Sequence, residues 1–280
     1  MKMQAPRILL ATNGSETTIP ALEYGTWFAG MLNTSVDVLG IIESETMRSQ
    51  VERLVEETRQ RLEAQGVPHQ VLFDKGRGSV VIARHTCEQE YLTVVGPLGR
   101  PAWRRVLRGR SFRRIMARTA SPILYVPQKR IPLEKILLCM GGLEYAEAIA
   151  QITFQIAAIA KARVTILHVI EPVTLNYPLA QKVHTHRDNL MQIDTPQTRN
   201  LKAALNDGRQ AGIITDLRLR DGNPVTEIEE EVRTGDYDMI ALGSPYSAHS
   251  LRQMYMPNVT AEVAEAVNRP VLVARRKTLN

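Results

Sequence analysis

The chain is predicted to be an α/β protein made of two tandem doubly wound domains, each a five-stranded parallel sheet with helices on both faces. Three observations carry this expectation. The 280 residues exceed the usual size of one domain, and each half is long enough to bury its own core. The halves repeat: Arg7–Thr12 is echoed by Lys135–Met140, and Val36–Glu43 by Val164–Glu171, both 128 residues further on. Leu92–Gly96 and Pro122–Val126 find counterparts in Met239–Gly243 and Pro270–Ala274, in the same order. Short β-branched runs also alternate with helical patterns, as in βαβ units that build a parallel sheet.

Taken in order, Arg7–Thr12 and Val36–Glu43 are nearly continuous apolar runs, the pattern of strands covered on both faces. A further strand is expected at His69–Phe73, then Leu92–Gly96 and Pro122–Val126. Ahead of the last, Phe112, Ile115, Met116 and Thr119 line one helical face while Arg110, Arg113, Arg114 and Arg118 take the other. Gln128–Pro132 breaks the pattern and divides the chain into domains 1–130 and 131–280. In the second domain Ile149, Ile152, Ile156 and Ile159 recur at helical spacing, and the extra strand is expected at Asp216–Arg220. Gly76 corresponds to Gly222, an offset of 146 instead of 128, so the second domain has gained 18 residues. The odd composition of 173–198 places the gain there, as a lid or a solvated loop. The final strands of the halves leave edges to be covered, so the halves are expected to meet along them as a pseudo-twofold pair.

Composition bounds the function. Lys and Arg number 35 against 29 acidic residues, a net charge of +6 that attracts anions without implying nucleic acid. Cys87 and Cys139 cannot form a disulfide framework. No apolar run approaches the roughly 20 residues that span a bilayer, and the start lacks a leader pattern, so a cytoplasmic protein with no membrane partner is expected. No P-loop lysine motif, HEXXH or GXSXG occurs. His184 and His186 alternate on one short segment, which is poor metal-ligand spacing, and no metal site is expected. His168 reads as a buried, hydrogen-bonded core residue, and His85 and Cys87 are too close in one helix to share a face. Ser15 reads as a helix N-cap. The arginines around residues 100–118 read as a solvated basic face beside a small phosphate ligand, since few aromatics accompany them for stacking on nucleic acid.

One stretch has the chemistry of an anion site. After Val94-Val95 come Gly96-Pro97-Leu98-Gly99, nine residues, then Gly109-Arg110-Ser111 and an amphipathic helix. Glycines allow close backbone approach to a phosphate, and free N–H groups at a helix start favour negative charge. Arg110 and Ser111 add donors.

The order I-L-L-A-T-N-G-S-E, V-L-G-I-I-E, G-x2-G-x9-G and S-P-I-L-Y-V-P resembles the universal stress protein family. The second half matches through I-L-L-C-M-G-G-L-E, T-I-L-H-V-I-E-P, D-G-N-P and R-P-V-L-V-A. The resemblance implies tandem universal stress domains of the adenine-nucleotide α-hydrolase-like fold, with ATP or another adenine nucleotide as ligand, with or without Mg2+. Carried over by position, it implicates Ala11 and Asn13 at the end of the first strand and Ile41 against adenine. It puts Val95, Gly96, Gly99, Gly109, Arg110 and Ser111 on the phosphate side. Asn13 departs from the family's Asp, and Arg110 stands where the family has Ser or Thr.

The second half is more altered. Asn13 aligns with Gly141, and the glycine loop becomes Gly243-Ser244-Pro245-Tyr246, then Met256-Pro257-Asn258. Pro257 lacks a backbone N–H, and the following helix carries Glu262 and Glu265, so ATP binding in the usual manner is not expected there. The expected function is therefore a stress-response protein with an adenine nucleotide in its N-terminal half, a homodimer with a protein partner still to be identified. The alternatives are an interaction module whose pockets have decayed and, as the enzymatic reading, slow nucleotide hydrolysis.

Overall fold

The computed structural model describes residues 6–99, 110–119, 121–141, 146–170, 194–243 and 259–274. Alternation along the strands shows why both faces of the sheet are covered. In β1 (Arg7–Thr12), Ile8 and Leu10 join one apolar cluster while Leu9 and Ala11 join the other, all fully buried. That is the two-residue period of a strand with a core on each side. The first half continues with β2 (Val36–Ile42), β3 (His69–Lys75), β4 (Tyr91–Val95) and β5 (Ile123–Tyr125). Between them run α1 (Ile19–Leu32), α2 (Arg48–Ala64), α3 (Gly78–Glu88) and α4 (Arg110–Arg118). The second half repeats the plan with β6 (Lys135–Cys139), β7 (Arg163–Ile170), β8 (Thr215–Asp221), β9 (Met239–Gly243) and β10 (Val271–Ala274). Its helices are α5 (Ala146–Ala160), α6 (Pro196–Gln210), α7 (Pro224–Gly235) and α8 (Val259–Ala266). Helices α1, α2, α5 and α6 pack on one face, and α3, α4, α7 and α8 on the other.

The strands form one ten-stranded sheet in the order β3-β2-β1-β4-β5-β10-β9-β6-β7-β8. Every neighbouring pair is parallel except β5 and β10, which pair antiparallel with Leu124 opposite Leu272. The last strands of the two halves thus close each other's edges. The linker is fixed from both sides, because Lys129 pairs with Glu23 of α1 and Arg130 with Asp236 at the end of α7.

Two sequence expectations are refined. Ile149 and Ile156 of α5 are buried, but Ile159 is 46% exposed. At 100° per residue the buried stripe centres on Ile149, Thr153 and Ala157, and Ile159 falls outside it. Helix α6 begins at Pro196 under a capping box between Thr195 and Thr198, so the end of the 173–198 run is its first turn. Residues 171–193 lie outside the described residues.

Candidate functional site

In each half the strand order reverses between the first strand and the fourth. The crevice at the carboxyl ends of such a pair is where doubly wound sheets bind ligands. In the first half it lies between the segment after β1 and the segment after β4, and both approach each other closely. Ala11, Val95 and Ile41 form the buried apolar floor, Gly96 is buried, and Gly99 is partly exposed.

The turn after β1 is ordered by its own hydroxyls. The Gly14 N–H donates to Thr12 Oγ1 at 3.1 Å, and Thr12 and Thr18 hydroxyls meet at 2.7 Å. Ser15 precedes a short 3-10 turn, yet its hydroxyl bonds Thr17 Oγ1 at 2.8 Å and caps no backbone N–H. The expected N-cap bond is absent, and the hydroxyl is engaged with Thr17 instead. Thr17 Oγ1 in turn donates to the Pro97 carbonyl at 2.6 Å.

Asn13 sits at the centre, 4% exposed. Its side-chain amide donates to Glu43 Oε2 and to the Gly99 carbonyl, each at 3.3 Å, while its Oδ1 accepts from the Ser15 N–H. Glu43 Oε1 accepts from the Gly78 N–H at the start of α3 at 2.6 Å. This explains the departure from Asp at position 13: an amide can donate to Glu43, whereas a second carboxylate would repel it. The segments touch so closely that a Cβ on Gly99 would lie 2.1 Å from Ser15 Oγ, and one on Gly96 3.0 Å from the Thr17 carbonyl. Only glycine fits at position 99 without moving the β1 turn.

Of the predicted site residues, Ala11, Asn13, Ile41, Val95, Gly96 and Gly99 come together here. Gly109 lies outside the described residues. Arg110 and Ser111 begin α4, with their side chains likewise outside the description. Glu43, Gly78 and Leu98 also belong to the cluster and escape sequence reasoning. The available signal was the Asn at position 13, which calls for a nearby acceptor.

The second half is built differently at the matching place. Gly141 is exposed with open space around it, and His168 Nδ1 bonds the Met140 carbonyl at 2.8 Å, where the first half uses its threonines. His168 is buried and hydrogen-bonded, as expected. Burial pushes the Cys139 thiol well above its ordinary range, which disfavours the thiolate. Gly243 is held through its carbonyl by Thr260, and residues 244–258 lie outside the described residues. Glu262 is 3.7 Å from Arg113 of α4, so the acidic and basic helices face each other across the junction of the halves. Among the described residues no three His, Cys, Asp or Glu converge to hold a metal, and no helix is long and apolar enough to cross a membrane.

Fold and crevice together define a tandem, doubly wound α/β protein with a ligand-type switch point in its first half. A sequence profile of the universal stress protein family matches residues 132–275, just over half of the chain. The chain belongs to the universal stress protein family. It is similar to a universal stress protein from Archaeoglobus fulgidus DSM 4304, with TM-score 0.74 and 18% identity over 99% of this chain and 98% of that one. It is also similar to a functionally unknown protein from Pseudomonas aeruginosa PAO1, with TM-score 0.66 and 16% identity over 97% and 93% of the two chains. At such identities these two likenesses speak for the fold alone. No curated protein sequence matches the chain.

Proposed function

We propose that this is a stress-response protein whose N-terminal half binds an adenine nucleotide as a signal or stabiliser, without fast catalysis. The observation that supports it most is the convergence of the β1, β2 and β4 ends on one crevice. Apolar Ile41 lies at its floor, with Asn13 and Glu43 at its polar edge and glycines at 96 and 99. In this reading Ile41 receives the base, Asn13 and Glu43 the ribose end, and the Gly96–Gly99 segment with the start of α4 the phosphates. Magnesium enters only as the nucleotide's own counter-ion. The second half binds none, and the protein works in the cytoplasm as a homodimer that meets a protein partner.

A second reading, an interaction module without nucleotide, is favoured by one observation: Leu98 packs in the same apolar cluster as Ile41, and Gly99 is bonded to Asn13. Ultraviolet absorbance and mass analysis of the denatured, freshly purified protein separate the two. Co-purified nucleotide, or a thermal shift with millimolar ATP, ADP or AMP, supports the first reading. The absence of both overturns it in favour of the second.

A further inference from the structure

The short segment after β4 is tied down at two residues, on either side of Leu98. The Pro97 carbonyl accepts from Thr17 Oγ1 at 2.6 Å, the Gly99 carbonyl accepts from the Asn13 amide at 3.3 Å, and Gly99 rests against Ser15. Between these two tethered carbonyls lies Leu98, only 9% exposed although its segment runs over the surface. Its side chain fills the space left by the missing side chain of Gly78. A Cβ built on Gly78 would lie 2.6 Å from Leu98 Cδ1, 3.3 Å from Glu43 Oε1 and 3.9 Å from Ile41 Cδ1. Leu98 therefore stands in the corner formed by the Ile41 floor, the start of α3 and the Glu43 carboxylate. Val81 and Val95 belong to the same apolar cluster.

The corner is apolar within and carries the Glu43 carboxylate at its edge, to which the Asn13 amide is bonded. We propose that Leu98 is a built-in plug of the base seat, so that a purine enters the crevice only by exchanging with this side chain. The proposal rests on the nucleotide reading for the identity of the ligand, but the plug is a property of the chain by itself. Its consequence is a low affinity that any event loosening the tethers raises, because binding then no longer has to supply the energy of unseating a leucine.

The test compares the full-length chain with Leu98→Ala and the size-keeping Leu98→Met, each first shown to unfold cooperatively. Indole serves as an apolar bicyclic probe, and adenosine, AMP and inorganic triphosphate as ligands, all measured by calorimetry. If the plug exists, Leu98→Ala takes up indole while the wild-type chain and Leu98→Met do not. Leu98→Ala also binds adenosine and AMP roughly tenfold or more tightly than the wild-type chain, with triphosphate unchanged. If Leu98→Ala excludes indole, or if the wild-type chain binds adenosine and Leu98→Ala binds it no more tightly, the plug is refuted whatever the fate of the nucleotide reading. If Leu98→Ala admits indole while neither protein binds adenosine or AMP, the plug stands and the nucleotide reading falls.

Discussion

Replacing Asn13 by Asp tests the polar heart of the crevice. The exchange converts an amide that donates to Glu43 Oε2 at 3.3 Å into a second carboxylate at the same spacing. Two like charges so placed repel by about 5 kcal/mol at an effective dielectric of ~20 and about 1.3 kcal/mol in bulk water. Glu43 is exposed but position 13 is buried, so the repulsion falls between these limits, and the loss of the bond to the Gly99 carbonyl adds to it. A loss of about 2–4 kcal/mol at neutral pH and low salt is expected, shrinking as salt is added. The pH dependence has a definite sign. Each carboxylate raises the other's folded pKa, so the folded variant holds a proton more tightly than the unfolded chain. The deficit is therefore full at neutral pH and disappears as pH falls through the raised folded value. Denaturant unfolding of wild type, Asn13→Asp, Glu43→Gln and the double variant gives the coupling directly. The double variant recovers most of the loss, because the introduced glutamine amide can donate to the introduced aspartate and the donor and acceptor have merely changed sides. Equal midpoints for Asn13→Asp and wild type at neutral pH, with no relative gain on acidification, would refute the contact and with it the explanation of why Asn stands here.

Two further outcomes follow from the same structure. Gly99→Ala places a methyl 2.1 Å from Ser15 Oγ and is expected to cost about 1–3 kcal/mol in chemical denaturation, with Ser15→Gly restoring much of it. Failure of that rescue would mean the two turns do not touch. At the far end of the second half, burial pushes the Glu231 carboxyl upward, but the Tyr237 hydroxyl at 2.7 Å and the Arg220 and Arg218 guanidinium groups prevail and hold it below its ordinary 4.5. Its stabilising contribution is present above that value and is lost as pH falls through the lower folded one. Tyr237→Phe should lower stability at neutral pH and flatten the acid side of the stability profile, and an unchanged slope would remove Glu231 from the account.

Much of the architecture was legible because buried strands and amphipathic helices are written locally. The repeated runs marked the two halves, and the β-branched stretches became β1, β2, β4, β6, β7 and β9. Phe112, Ile115 and Met116 of α4, and Thr119 just past its end, are buried as their spacing required. Ile159 misled because four isoleucines at helical intervals match a stripe only until the 3.6-residue period drifts past its edge. At the crevice, the glycines and Asn13 stood out by comparison with a known pattern, whereas Glu43, Gly78 and Leu98 looked like an ordinary strand end, helix start and loop residue.

The internal repeat and the local periodicity determined the number of units, their layers and the approximate course of each strand, while strand ends such as Lys75 of β3 and Tyr125 of β5 were set by pairing with neighbours in the sheet. Contacts across the fold were decided only by tertiary structure. The Asn13 amide meets Glu43 from 30 positions along the chain and the Gly99 carbonyl from 86. Arg113 faces Glu262 because β5 and β10 close the sheet between the halves. Leu98 fills the hollow beside Gly78 for the same reason: a side chain's partner across a crevice is fixed by how strands are ordered in space, and one chain read in a line carries no record of that order.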